Sequence, residues 1–129
     1  MSDALIPPGV LRNLSDRSSE KRKSSIQEID KAIRRMGEGD VRAVLLLLAN
    51  DFTLSVNNNS RKGGLLALAQ CAIALGQSQI SRNLPLVIPP VLKNFSDQDA
   101  RVRFYACESL FNICKMCRCV GGVRAGVWG

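Results

Sequence analysis

Two stretches of this sequence, Val10–Asp16 (VLRNLSD) and Val91–Asp97 (VLKNFSD), are near copies of each other and lie 81 residues apart. A weaker copy, Leu48–Phe52 (LANDF), lies between them. The apolar residue near the end of the phrase therefore recurs after 38 and then 43 residues. Helical-hairpin repeats of the HEAT and armadillo type have periods of about 40–47 residues. The phrase predicts a chain built from about three copies of one structural unit.

Between the copies, apolar residues recur with the period of a helix. Within residues 18–36, Ile26, Ile29 and Ile33 are three and four positions apart, which places them on one helical face. No stretch alternates convincingly with period two. The sequence therefore predicts an all-α fold, a HEAT- or armadillo-like solenoid of helical hairpins with about three repeats. Further helices are expected at about 41–54, 61–75, 84–95 and 97–116, and the prolines in 84–95 predict a kink or break near the middle of that helix.

The domain boundaries follow from the turns between these helices. We expect a short lead at residues 1–8, and an irregular tail at 117–129. The tail has four glycines in thirteen residues and can form neither a helix nor a polar capping repeat, so we interpret it as a divergent end. The repeats are expected at about 9–37, 38–76 and 77–116.

The repeated phrase has a physical role in a helical hairpin. Its apolar residue, which is Leu14, Phe52 or Phe95, is expected to fill the space between the two helices of a repeat. Asp16 and Asp97 are expected to cap the start of the second helix, where a carboxylate also suits the helix dipole. The other expected caps are Asp40, Asp99 or Ser96, and Asn59 or Ser60.

Basic residues follow the turn in every copy. They lie near the start of a helix, where the dipole disfavours them, so we expect them to pair with an aspartate or with a neighbouring repeat. In HEAT repeats, such aspartates and arginines form ladders between repeats. Direct contact with an anion or with an acidic partner is the alternative. The candidate contacts are Lys21, Arg22, Lys23, Arg61, Lys62, Arg101 and Arg103.

Composition narrows the function. The chain has 129 residues, of which 46% are hydrophobic and 22% charged, as in one globular domain or part of one. It contains no histidine, which removes serine–histidine and cysteine–histidine nucleophile pairs, so we expect no enzyme, no catalytic residue and no cofactor. The net charge of +7 indicates an acidic partner (nucleic acid, an anionic membrane or an acidic protein face) or serves solubility alone.

Three further patterns bear on function. Cys114, Cys117 and Cys119 form C-x-x-C-x-C, but a structural zinc site normally needs four ligands, so we expect no metal. Gly63 and Gly64 lack the spacing of a phosphate loop, and we expect them to let a neighbouring helix approach closely. No run reaches the roughly 20 apolar residues that cross a bilayer, and the N-terminus lacks a secretory pattern. A cytosolic or nuclear protein with reduced cysteines is expected.

Three segments carry a family resemblance: Asn59–Leu65 (NSRKGGL), Cys71–Gly76 (CAIALG) and Arg101–Ile113 (RVRFYACESLFNI). Over about residues 9–116 the chain resembles the N-terminal repeats of the Vac fourteen family. The resemblance implies a non-catalytic scaffold that holds the phosphatidylinositol 3-phosphate 5-kinase together with a Sac-type phosphoinositide phosphatase. That complex controls phosphatidylinositol 3,5-bisphosphate on endosomal and on vacuolar or lysosomal membranes, where a cytoplasmic, peripheral protein is then expected.

Within that family, the N-terminal repeats are expected to contribute to kinase engagement. Self-association and phosphatase contacts are expected largely from the far C-terminal part, which this sequence lacks. Two other functions stay open, an unrelated HEAT or armadillo adaptor and a basic module that binds anionic membranes. Nucleic acid is not an expected partner, because aromatic residues make up only 5% of the chain and no reading motif is present.

Overall fold

The computed structural model describes residues 5–117, which form six α-helices. A π-helical turn, Leu48–Phe52, continues the third helix, and a 3₁₀ turn, Asn94–Ser96, continues the fifth. No strand occurs among residues 5–117, and the all-α prediction is confirmed. Of the expected tail, only Cys117 lies within the described residues, and it is helical. The helices are α1 (Pro8–Leu14), α2 (Ser19–Ile33), α3 (Glu38–Leu47), α4 (Asn58–Arg82), α5 (Leu84–Lys93) and α6 (Ala100–Cys117).

The helices form three successive units. The first unit is α1 with α2, the second is α3 and its π turn with α4, and the third is α5 with α6. Helix α4 contacts both α2 and α6, so the second helices of the three units lie in a row, as in a helical solenoid. We call the boundary between the first two units the first seam, and that between the last two the second seam.

A single apolar core runs through the three units. Its fully buried side chains come from every unit, and each stabilises the fold by roughly 1.5–3 kcal/mol relative to exposure. The isoleucines of the predicted stripe on α2 belong to it. Its largest members are Leu14, Ile29, Ile33, Leu45, Leu48, Leu65, Leu68, Ile80 and Ile113.

The N-caps differ from those expected for three helices, α2, α3 and α4. Ser18, rather than Asp16, caps α2 by accepting a hydrogen bond from the Lys21 N–H. Asn57 caps α4, because its side chain accepts from the N–H groups two and three residues ahead. For α6, Asp99 is the cap among the expected candidates, since its Oδ1 accepts from the N–H of Arg101 at 2.8 Å. Asp97, which was also expected to cap this helix, instead accepts from the N–H of Asp99 at 2.9 Å. The predicted caps Asp40, Asn59 and Ser60 lie within the first turn of their helices.

The sequence predicted an interruption in α5 and an end within α4, and the structure supports only the second. Helix α5 is continuous through Pro89 and Pro90, so the predicted break is wrong. The two prolines cannot donate i→i−4 hydrogen bonds, and burial of Val87 and Val91 against the core compensates for this loss. The sequence predicted that the other helix ends at Gly76, and the structure confirms an interruption of α4 there. That glycine has φ 81° and ψ 175°, which breaks the helix locally before it resumes to Arg82.

Of the three apolar residues expected to fill the space between the helices of a repeat, only the first is fully buried. Leu14 is fully buried and its side chain lies against Gly63 of α4, whereas Phe95 is 39% exposed. The expected burial therefore holds for the first copy and is wrong for the third. In the second copy, Phe52 is only half-buried and Thr53 is fully buried. The π turn explains this shift, because it adds one residue to the helix before the turn and moves the buried place along by one position.

Candidate interaction surface

In each unit, one arginine binds the backbone of the turn that precedes its helix. Arg22, Arg61 and Arg103 each lie four residues after Ser18, Asn57 or Asp99, respectively. In each case Nη1 donates to the two backbone carbonyls five and six residues earlier, so these basic residues have a structural role at the start of the helix. The distances are 2.9 and 3.1 Å for Arg22 (Asp16 and Arg17), 2.9 and 3.1 Å for Arg61 (Ser55 and Val56), and 2.7 and 3.3 Å for Arg103 (Asp97 and Gln98).

Across the second seam, two basic residues of α4 bind two aspartates of the third unit. Arg61 donates through Nε and Nη2 to Asp97, at 2.6 and 3.0 Å. Lys62 Nζ lies 3.8 Å from Asp99 Oδ2, which also accepts from the Asn58 amide at 2.6 Å. This is the ladder between repeats that the sequence predicted for Arg61 and Lys62.

The ladder lowers the pKa of both aspartates below their ordinary value. Burial opposes the charge of Asp97, but hydrogen bonds from Arg61 and from the Asp99 N–H outweigh it, and its pKa is lowered. For Asp99, the hydrogen bond from Asn58 is the main cause of the lowered pKa, followed by the Arg101 N–H. Both carboxylates are therefore stabilised in the charged form that binds the basic residues.

The first seam has different links. Ser15 Oγ and Ser60 Oγ lie 2.7 Å apart, and the Gln70 amide donates to Asp30 at 2.8 Å. The hydrogen bond from Arg34, helped by that from Gln70, lowers the pKa of Asp30 against the opposing effect of burial. No salt bridge crosses this seam within the part of the chain that the structure describes.

The remaining predicted contact residues differ in accessibility. Arg22 is only 5% exposed, so it is not available to a large partner surface. Lys21 is exposed and lies 3.9 Å from Asp16. Lys23, Arg101 and Arg103 are exposed. Of the seven residues, the exposed four are the ones that retain access to an anion or an acidic partner.

Two exposed phenylalanines on α6 were not singled out from the sequence. Phe104 and Phe111 are 62% and 63% exposed and lie seven residues apart, on one helical face. Lys115 Nζ lies 5.8 Å from the centroid of the Phe111 ring. A signal was present in the sequence, because both residues are off the buried α6 stripe that runs through Val102, Ala106, Ser109 and Ile113.

Phe104 occupies the same position in the third unit as Lys62 occupies in the second. Phe104 lies five residues after Asp99, just as Lys62 lies five residues after Asn57. On α4, the side chain at that position faces the third unit. By this correspondence, the exposed face of α6 is equivalent to the face of α4 that contacts the third unit.

The glycine pair has the role that the sequence predicted. A Cβ on Gly63 would lie 2.1 Å from the Leu14 carbonyl oxygen, and one on Gly64 would lie 2.7 Å from the Phe52 Cβ. Helix α4 therefore approaches the ends of two neighbouring helices more closely than any side chain would allow. The two glycines have a packing role and do not form part of a phosphate loop.

The cysteines of the described residues are reduced. Burial, with a smaller contribution from Asp30, raises the pKa of the Cys71 thiol to about 12. Burial and the neighbouring Cys117 raise the pKa of Cys114. Within residues 5–117 no group of three or more metal-ligating side chains is found, and Cys119 of the C-x-x-C-x-C motif lies outside those residues. No helix in that range combines the length and apolar character needed to cross a membrane.

Comparison with known proteins identifies relatives for most of the chain. Residues 59–120 match the family model described as the Vacuolar 14 Fab1-binding region. The chain is 44% identical to the Protein VAC14 homolog of Arabidopsis thaliana over 124 residues, which is 92% of this chain and 17% of that protein. It is 40% identical over 114 residues to the Vacuole morphology and inheritance protein 14 of Saccharomyces cerevisiae, which is 84% of this chain and 13% of that protein.

A third relative agrees with these two. The chain is 38% identical to the Protein VAC14 homolog of Schizosaccharomyces pombe over 115 residues, which is 84% of this chain and 14% of that protein. No solved structure matches the chain. The chain spans only 13–17% of the length of these relatives. The matched Fab1-binding region covers nearly all of α4, together with α5 and α6.

Proposed function

Since this chain belongs to the VAC14 family, we propose that it is a non-catalytic scaffold segment that binds the phosphatidylinositol 3-phosphate 5-kinase. Through that contact it organises the complex that makes phosphatidylinositol 3,5-bisphosphate. The observation that carries the proposal is the match of residues 59–120 to a Fab1-binding region, which supports a kinase contact through α4, α5 and α6.

The exposed face of α6 is the best-suited surface for the kinase within this region. Phe104 and Phe111 supply two aromatic side chains that are more than 60% exposed, and aromatic residues dominate the energetics of protein interfaces. Arg103, beside them, uses Nη1 for its own turn. Its counterpart Arg61 uses Nε and Nη2 to bind an aspartate of the next unit. The surface therefore fits a helical segment of the kinase with apolar side chains and a carboxylate directed at Arg103.

The proposal extends to the membrane and to the phosphatase. The relative from Saccharomyces cerevisiae has a name that refers to vacuole morphology and inheritance, which supports a site of action at the vacuole. We propose peripheral association there, helped by the net charge of +7 and by the exposed side chains of Lys21 and Lys23. A Sac-type phosphatase in the same complex rests on the family resemblance, and its contacts belong to the longer protein.

A binding measurement with the purified kinase tests the proposal. The double variant Phe104→Ala/Phe111→Ala of the full chain should bind the kinase at least about 10-fold more weakly, because two central aromatic contacts are removed. Leu46→Ala is the matched control, since Leu46 is 41% exposed on α3, outside the matched region, and should leave the affinity unchanged. Both variants should keep the helical circular dichroism of the parent chain.

Two outcomes would contradict the proposal. If the parent chain shows no saturable binding to the kinase, the assigned function is wrong. If the parent binds and the double variant binds equally well, the kinase contacts another face of α4 to α6, and the assignment to the phenylalanine surface is wrong.

A further inference from the structure

Ser55 occupies, in the second unit, the position that an aspartate occupies in the other two. Asp16, Ser55 and Asp97 each accept a side-chain hydrogen bond from the N–H two residues ahead, at 2.8, 3.1 and 2.9 Å. The backbone carbonyl of each also accepts from the arginine six residues ahead. The three residues are therefore structurally equivalent, although only two of them are charged.

At the second seam, the residue at this position is Asp97 and the capping residue that follows it is Asp99. Their carboxylates supply the negative charges of the ladder. Asp97 binds Arg61, and Asp99 binds Lys62. The first seam keeps both basic residues, as Arg22 and Lys23, which lie four and five residues after the cap of α2. The two positions that are acidic at the second seam are uncharged at the first, where Ser55 and Asn57 correspond to Asp97 and Asp99. Two negative charges are thus missing opposite two retained cations.

The consequence is visible at Arg22. Its side chain is 5% exposed, and its Nε is buried without a hydrogen-bond partner among the described residues. The corresponding atom of Arg61 is 2.6 Å from Asp97 Oδ2. A buried donor of a charged group that has lost its water is costly to leave unbonded. The serine hydroxyl at position 55 is too short and uncharged to replace that carboxylate, and it is already bonded to the Asn57 N–H.

A phosphate group has the charge and the reach that this seam lacks. Phosphoserine carries a charge of about −1.5 to −2 at pH 7 and three acceptor oxygens, so one group can replace two carboxylates. It would also sit just ahead of the α4 N-terminus, where the helix dipole favours an anion. We propose that Ser55 is a phosphorylation site, and that its phosphate closes the first seam by binding Arg22 and Lys23.

The modification itself is ordinary phosphoryl transfer. A serine/threonine protein kinase moves the γ-phosphoryl group of ATP to Ser55 Oγ, the anhydride bond to ADP breaks, and the hydroxyl proton is released. Ser55 is half-buried in the turn between the π turn and α4, and its neighbour Val56 is fully exposed. The modification would couple the first unit more firmly to the second unit. The helix α4 of that second unit contains the start of the matched Fab1-binding region, at residue 59.

Thermal unfolding of the full chain tests the proposal. Phosphoserine installed at position 55 should raise Tm by roughly 4 °C or more, and the gain should largely disappear in an Arg22→Gln background. Ser78→Asp is the control for added charge, because Ser78 is exposed on α4 beyond Gly76, and it should give no gain. An unchanged Tm, or a gain that persists without Arg22, overturns the proposal.

Three further measurements test whether a phosphate on Ser55, rather than a free anion, binds Arg22. The ³¹P NMR titration should show the second phosphate pKa below its usual value of about 6 in the parent and near that value in Arg22→Gln, whatever the variant does to stability. If inorganic phosphate stabilises the unmodified chain through Arg22 while phosphoserine does not, the seam binds a free anion and Ser55 is not its source. Mass spectrometry of the chain isolated from cells with phosphatase inhibitors should find phosphate on Ser55, and its absence overturns the modification.

Discussion

The guanidinium of Arg61 and the carboxylate of Asp97 face each other across the boundary between the second and third helical units, joined by hydrogen bonds of 2.6 and 3.0 Å. Only 19% of the arginine side chain and 9% of the aspartate side chain are exposed, so water screens this pair less than a surface pair. Arg61 also binds the carbonyls of Ser55 and Val56. The Arg61 side chain thus links the turn before α4 to the third unit through hydrogen bonds to both.

Asp97→Asn should destabilise the chain by about 2 kcal/mol, because it leaves the Arg61 charge largely buried without its partner. Urea unfolding followed by circular dichroism measures this change. Glu28→Gln removes an exposed ion pair with Lys31 at 3.7 Å and should cost less than about 0.5 kcal/mol. Equal losses in the two variants would show that the Arg61–Asp97 pair contributes no more to the free energy of unfolding than an exposed ion pair does.

The chain should lose stability in acid because of Asp97, Asp99 and Asp30. Each has a pKa lowered below its ordinary value of 3.8 in the folded state. A lowered folded pKa means that the contribution is complete above the unfolded value and is lost as the pH falls through the folded value. Tm should therefore be flat from neutral pH to about pH 5 and should fall below about pH 4.

The same titration with Asp97→Asn identifies the source of that loss. The variant should start from a lower Tm at pH 7 and show a shallower decline below about pH 4, because one of the three titrating groups is gone. A decline as steep as that of the parent would assign the acid sensitivity to other carboxylates.

Gly63→Ala should be among the most damaging small substitutions in this chain. Its Cβ would lie 2.1 Å from the Leu14 carbonyl oxygen, and backbone cannot move aside as a flexible side chain can. We expect a loss of about 3 kcal/mol or more in the free energy of unfolding. Gly39→Ala is the matched control, since no atom lies within 4 Å of its Cβ in the first turn of α3, and it should stabilise by about 0.4–1 kcal/mol.

Gly76→Ala should destabilise the chain by about 1–3 kcal/mol for a different reason. Space is available around Gly76, but its φ of 81° and ψ of 175° lie in a region that only glycine adopts without strain. Ser78→Ala, two residues further on, should change stability by less than about 0.5 kcal/mol. If both variants unfold at the same urea concentration, the break in α4 is not held by the backbone conformation of this residue.

Much of the fold could be predicted from the sequence, because it depends on local periodicity. The spacing of Ile26, Ile29 and Ile33 places one stripe on α2, and all three are buried. The pairing of Arg61 with an aspartate of the next unit followed from the repeated order of residues around the turn. The role of Gly63 was also predictable, since glycine in a helix otherwise destabilises it and its presence indicates a close approach.

Other features depend on contacts between residues far apart in sequence. Ser18 rather than Asp16 caps α2, because the exact start of a helix depends on how the turn before it is held by Arg22. The exposure of Phe104 and Phe111 depends on which helical faces the neighbouring unit covers. A pattern of apolar residues does not by itself distinguish a helical face that packs into the core from an apolar face that stays exposed.

The sequence by itself determined an all-α chain of about three related units, since the repeated phrase and the helical periods are properties of neighbouring residues. The tertiary structure decided which of the recurring basic residues meet a carboxylate. Arg61 and Arg22 occupy the same position in their units, yet Arg61 Nε binds Asp97 and Arg22 Nε is buried without a partner. The difference arises because charge pairing across a seam depends on what the next unit places opposite each arginine.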